Sequence, residues 1–302
     1  MELTLGPVLF EWRRDELLKF YEEASNWPVD RVYLGEVVCS KKTGLTPKDI
    51  ESIAWGLEKA GKKVTLSSLA VVSNEDELAF TRRLAQMSGS FSMEANDMSV
   101  LNMINPIEKE IFAGPHITTY NAPSIEFLKS LGIKRVTFPV ELPRDSIAFA
   151  IKNTGIFGEV FVHGRVPLAF SWRCYTSRAY NLSKTECRHH CGKYPDGMEL
   201  KTMDGEPLFA INGTSVLSSK TYTLVEFVED LSSIGVKAIR VSPQSRCTGK
   251  IIDVFRRRLD GNLSAEEGLR QLAEANTTPG YCNGWYTGAA GKDYVSPIAA
   301  GA

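Results

Sequence analysis

The chain carries almost no net charge: 35 basic and 36 acidic residues among 302 leave −1. So even a balance argues against broad binding of a phosphate backbone, which depends on clustered Lys and Arg, and nucleic acid is not an expected partner. The run Arg256, Arg257, Arg258 reads as the solvated side of a helix. No stretch of 18 or more apolar residues occurs, so no membrane span is expected. Met1 to Leu5 lack the basic start of a secretory signal, and six cysteines in so long a chain do not make a secreted disulfide framework. The expected compartment is cytoplasmic. Also missing are a G-x-G-x-x-G after the first strand, a G-x-S-x-G elbow and an H-E-x-x-H pair. The usual marks of a dinucleotide site, a serine hydrolase and a zinc protease are therefore absent.

What the chain does have is alternation. Strand-like segments at residues 3–9, 32–38, 64–72, 99–103, 110–112, 135–138, 159–162 and 236–241 are interleaved with helical ones. Thr46 with Pro47 marks one helix start, and Gly61 its stop. Eight strands alternating with helices predict an α/β fold, a (β/α)8 TIM-like barrel, irregular where the helix between the fourth and fifth strands is short. With no repeat or low-complexity linker, the chain reads as a single barrel domain, 1–302, with an inserted cysteine-bearing loop at 165–205. Residues 208–213 form a small β excursion.

That loop is the densest chemistry in the sequence. Glu159 to Cys191 starts as an apolar strand, leaves it at Gly164 and turns polar, and it holds Cys174, Cys187 and Cys191 as C-x12-C-x3-C. Three thiols in a polar segment with Arg173, Arg178, Arg188, His189 and His190 point to a metal or cluster rather than to three small hydrophobes. Spacing alone leaves zinc and iron–sulfur open, with His189 or His190 as possible zinc ligands. Residues four apart can share one face of a helical turn, which would pair Cys187 with Cys191. A fourth thiol must come from elsewhere. Cys39, expected one residue past the second strand, lies at the barrel end where such folds place chemistry. The ten residues between Gly164 and Cys174 can extend about 33–36 Å, enough to cross that mouth. Cys247 and Cys282 remain possible on the same grounds. Glu36 and Glu141 also lie towards the mouth, while His116 and His163 read as structural residues at strand ends.

The same stretch resembles the signature of the U32 peptidase family. Glu159, Phe161, Gly164, Ala169, Ser171, Cys174 and Ser177 match it; Pro167 stands where the signature has its first cysteine, and Trp172 where it has glycine. With the ligand at 167 missing, the set Cys39, Cys174, Cys187 and Cys191 is similar to that of the ubiquinone-biosynthesis members of the family. The resemblance extends from Gly6 to Cys282 and excludes Cys247 and Cys282 as ligands. It implies a [4Fe-4S] cluster on those four cysteines and a heterodimer with a UbiU-like U32 protein. It further implies a UbiT-like lipid-binding protein and oxygen-independent hydroxylation of the quinone precursor ring. Three alternatives stand beside it: a U32-type RNA hydroxylation factor, a peptidase, and a non-catalytic scaffold whose metal staples a loop to the barrel.

Overall fold

The computed structural model describes residues 1–42, 44–87, 91–105 and 108–297; the last five residues of the expected 1–302 domain lie outside this set. Seven parallel strands come first: β1 (Glu2–Leu5), β2 (Arg31–Gly35), β3 (Lys63–Ser67), β4 (Ser92–Ala95), β5 (Ile111–Ala113), β6 (Arg135–Thr137) and β7 (Phe157–Gly164). The chain then builds β8 (Pro167–Phe170), β9 (Met198–Lys201), β10 (Pro207–Asn212) and β11 (Ser215–Ser218), an antiparallel sheet in the order β8-β11-β10-β9. After β12 (Thr221–Thr223) comes β13 (Ala238–Val241), which pairs in parallel with both β7 and β1 and closes an eight-stranded parallel barrel. A short β14 (Tyr281–Cys282) extends the sheet beside β12.

Helices α1 (Arg14–Ser25), α2 (Pro47–Lys59), α3 (Glu75–Ala85), α4 (Ala122–Ser130) and α5 (Arg144–Thr154) surround the first part of the barrel. Within and after the insertion lie α6 (Tyr175–Ala179), α7 (Val228–Ser233), α8 (Thr248–Leu259), α9 (Ala265–Ala275) and α10 (Gly284–Thr287). The starts follow local chemistry. Thr46 Oγ1 accepts the Asp49 N–H while Asp49 accepts the Thr46 N–H, with Pro47 at the first helical position.

The strands alternate, and the alternation explains the core. Leu3, Leu5, Val32, Leu34, Val64, Leu66, Ile239 and Val241 are fully or almost fully buried apolar residues of the strand faces packed under helices. The intervening Thr4, Tyr33, Glu94, Arg135, Glu159 and Arg240 bond to one another across the barrel interior, where Thr65 bonds Arg31 and Ser92. The fourth strand is corrected by this arrangement. Residues 99–103 do not form it; Met98–Asn102 is a 3₁₀ turn begun by the Asp97 carboxylate, which accepts the Ser99 N–H at 2.8 Å. The strand is Ser92–Ala95, whose Ser92 and Glu94 face Arg31 and Arg240 inside the barrel. Its polar residues hide it from a search for apolar runs.

Candidate functional site

Cys39 is set by a turn at the end of β2. Gly35 has φ 144°, and a Cβ there would lie 2.3 Å from the Ser67 carbonyl oxygen, so only glycine allows this exit. The Glu36 carboxylate then accepts the N–H groups of Val38 (2.9 Å) and Cys39 (3.2 Å) and pairs with Lys42 Nζ at 2.9 Å. Lys42 also donates to the Leu9 carbonyl. Burial lifts the Glu36 carboxyl above its ordinary pKa, against the pull of Lys42, and burial likewise raises the Cys39 thiol. β2 stops at Gly35, so Cys39 sits four residues beyond it rather than one, on a bonded turn.

Cys174 is buried and precedes α6, where its Sγ accepts the Ser177 N–H at 3.4 Å. The turn between β10 and β11 joins it to the Cys39 segment. Gly213 O accepts the Tyr175 N–H (2.8 Å), Thr176 Oγ1 accepts the Gly213 N–H (3.0 Å), and Thr214 Oγ1 donates to Val38 O (2.9 Å). Cys187 and Cys191 do not share a helical face. His189 between them is left-handed at φ 52°, its N–H bonds Cys187 Sγ at 3.4 Å, and only then does the 3₁₀ turn His190–Lys193 begin. The loop is knitted by His190 stacked on Tyr180 and by Tyr180 and Tyr194 sharing a hydrogen bond.

The Cys191 thiol is pushed up to about 12 by burial, then by Glu11, Cys187 and Cys174, with Lys42 opposing. Lys42 also acts on Cys39, so one ammonium lies within electrostatic reach of both. Cys187 and Cys174 thus lie within electrostatic reach of the Cys191 thiol. Among the described residues no three Cys, His, Asp or Glu side chains stand close enough together to hold a metal ion as they are. The donor set suits a thiolate-bound cluster: four free thiols, two of them already accepting backbone N–H bonds of the kind that stabilise sulfur charge. The other two cysteines are placed differently. Cys247 is exposed at the start of α8, and Cys282 is buried in β14 opposite Tyr222.

Two hollows flank this region. Ser40 and Lys41 line, with Trp172, Cys174 and Arg178, a groove of about 610 Å³. A second cavity of about 270 Å³ opens over the C-terminal ends of the barrel strands, roofed by β8 and floored by Glu94, Asn96 and Arg240. Glu141 lines this second cavity, whereas Glu36 turns behind Cys39. His116 lines it too, its ring 4.4 Å from that of Phe170, and His163 is buried 3.3 Å from Thr223 Oγ1. Burial pushes both imidazoles down to about 3. Arg240, Glu94 and Asn96 were not singled out from sequence. The signal available for Glu94 and Arg240 was a charged residue inside a strand, at the inward position of its alternation; Asn96, just past the end of β4, carried none.

The chain is a closed (β/α)8 barrel with an inserted antiparallel sheet roofing a cavity at its mouth, the class of fold that places its chemistry at the C-terminal ends of the strands. The chain belongs to peptidase family U32, whose family model matches residues 18–296. It is 23% identical over 278 residues to a collagenase of Porphyromonas gingivalis, covering 85% of this chain and 62% of that protein. It is 21% identical over 259 residues to the tRNA hydroxylation protein P1 of Bacillus subtilis, covering 81% and 61%. Identity reaches 26% over 151 residues with the 23S rRNA 5-hydroxycytidine C2501 synthase of Escherichia coli, covering 48% and 23%. The chain therefore spans less than two thirds of each of these relatives. Among solved structures, a U32 peptidase aligns with a TM-score of 0.46 at 10% identity, over 81% of this chain and 93% of that one.

Proposed function

We propose that the chain is an iron–sulfur protein of the UbiV kind. In this reading it acts with a UbiU-like partner and a UbiT-like lipid-binding protein in oxygen-independent hydroxylation of the ubiquinone precursor ring. Cys39, Cys174, Cys187 and Cys191 would hold a [4Fe-4S] cluster, which when bound supplies one-electron chemistry. The observation that supports the reading is the clamp from Val38 through Thr214 and Gly213 to Tyr175, which ties the turn bearing Cys39 to the segment that follows Cys174, although 134 residues separate the two cysteines. Pro167 at the position of the signature's first cysteine gives that clamp its purpose, since a fourth thiol is then required.

The test is metal analysis of protein purified without oxygen. About four irons and four sulfides per chain are expected. Single Ala variants of Cys39, Cys174, Cys187 and Cys191 lose the cluster; those of Cys247 and Cys282 keep it. Stoichiometric zinc in an active, colourless protein overturns the reading. So does a full cluster in Cys39→Ala together with its loss in Cys247→Ala.

A second reading, an RNA hydroxylation factor, is favoured by the groove beside Cys174. Trp172 is 59% exposed there, and Arg83, Arg173 and Arg178 form no ion pair with described residues. Lys184, paired with Glu77, holds its ammonium 5.7 Å over one face of the Trp172 ring, and an exposed aromatic among cations is a stacking platform for a base. RNA binding that weakens steeply with salt and is lost in Trp172→Ala would favour it over the ring substrate.

A further inference from the structure

The cavity at the barrel mouth has a charge pattern that no role given above uses. Its walls are apolar, with Val37, Phe138, Phe161 and Phe170 around a space of about 270 Å³, room for one substituted six-membered ring. Arg240 is the one cation among the described lining residues, and it is already engaged. Its Nη2 lies 2.7 Å from Glu94 and its Nε 3.0 Å from Glu159. Glu141 adds a third carboxylate at the rim, hydrogen-bonded to Tyr120. Burial keeps His116 uncharged, so among the lining residues one positive charge faces two carboxylates, Glu94 and Glu141. Asn96, 1% exposed, donates from Nδ2 to Ser68 O (3.1 Å) and Glu94 (3.2 Å), while its Oδ1 accepts no hydrogen bond from the described residues. The Glu94–Asn96 side of the floor therefore offers an acceptor without a donor; the donors left in the lining are the Ser242 hydroxyl and the N–H of the neutral His116 ring.

We infer that this cavity takes a neutral, ring-sized molecule bearing a hydrogen-bond donor, and rejects carboxylates. The donor completes the acceptor side of the floor, and the ring lies against the phenylalanines. A carboxylate would meet an arginine whose charge is already compensated and two lining carboxylates that repel it. The inference deepens the proposed function and rests on it for the use made of the ring; the binding itself follows from the cavity's residues.

Phenol and benzoate share a ring and differ in charge, so they are the probes, titrated into the full chain at pH 7 by calorimetry. Phenol is expected to bind about tenfold more tightly than benzoate. Equal or reversed affinities, or no binding of either, overturn the inference. Ala169→Phe, which fills the space under the roof strand, should abolish phenol binding, and unchanged binding places the ring elsewhere and overturns the site. Should that variant fail to fold, Glu141→Gln gives the second measurement. Removing one rim charge narrows the phenol-to-benzoate ratio about threefold, and an unchanged ratio refutes the charge argument. Iron analysis of the same samples separates the two conclusions. Selective phenol binding without iron keeps this inference and ends the cluster reading; a full cluster without ring binding does the reverse.

Discussion

Glu159 accepts hydrogen bonds from Thr4, Tyr33, Arg135, Thr137 and Arg240 at the centre of the barrel, with no exposed surface. Burial alone would raise its pKa, but Arg135 and Arg240 outweigh that and hold the carboxyl well below the usual carboxylate range. A group shifted down in this way stabilises the fold fully above its unfolded pKa of about 4.3, and the contribution is lost as pH falls below that value. Glu159→Gln leaves two buried guanidiniums short of a partner and should cost about 3–5 kcal/mol at pH 7. Denaturant unfolding at pH 7 and at pH 3 checks both parts: the gap between the variant and the parent chain should shrink at acid pH. The Glu159 position was legible in sequence as part of a motif. Its partners were not, because Arg135 and Arg240 lie on other strands and no local pattern joins them to it.

At the scale of elements, the second sheet does the positioning. The turn from β10 to β11 reaches both the Cys39 turn and the start of α6, so it orients two segments that share no local sequence. Thr214→Val removes the bond to Val38 O and leaves a buried carbonyl unpaired, a loss of about 1–3 kcal/mol. Alkylation of the metal-free protein should then speed up several-fold at Cys39 and stay unchanged at Cys282; equal rates at Cys39 would show that the turn is held by Glu36 alone. Seven of the eight barrel strands could be read from apolar segments flanked by turn residues. The fourth could not, since Ser92 and Glu94 belong to the polar interior and the more apolar Met98–Asn102 drew the reading away. The 208–213 segment was visible as β structure, but its pairing with residues 198–201 and 215–218 was not, because β9 and β10, with Leu200 and Leu208 exposed, lack a clean alternation.

Taken whole, the molecule has an exterior that is polar except in places. Phe127 on α4 and Phe149 on α5 are 57% and 62% exposed on adjacent helices, which meet where Lys129 donates to the Thr154 carbonyl. A pair of bare phenylalanines on neighbouring helices is a candidate contact for the proposed UbiU-like partner. Co-expression should give a 1:1 species by light scattering, and Phe127→Asp with Phe149→Asp should return this chain to a monomer with its iron content unchanged. A 1:1 species that survives both substitutions would place the interface elsewhere. No helix among the described residues is long and apolar enough to cross a membrane.

The pairing of β1 with β13 sets an order on biosynthesis. Glu2 meets Ala238, so β1 keeps one edge open until β13, 236 residues later, has been translated. An open strand edge templates pairing with other chains. Cys39 likewise emerges long before Cys174, and the hairpin that joins them comes later still. Nascent chains stalled before residue 238 are accordingly exposed to aggregation, and any ligand held by Cys39 and Cys174 together would have to wait for the hairpin of β10 and β11.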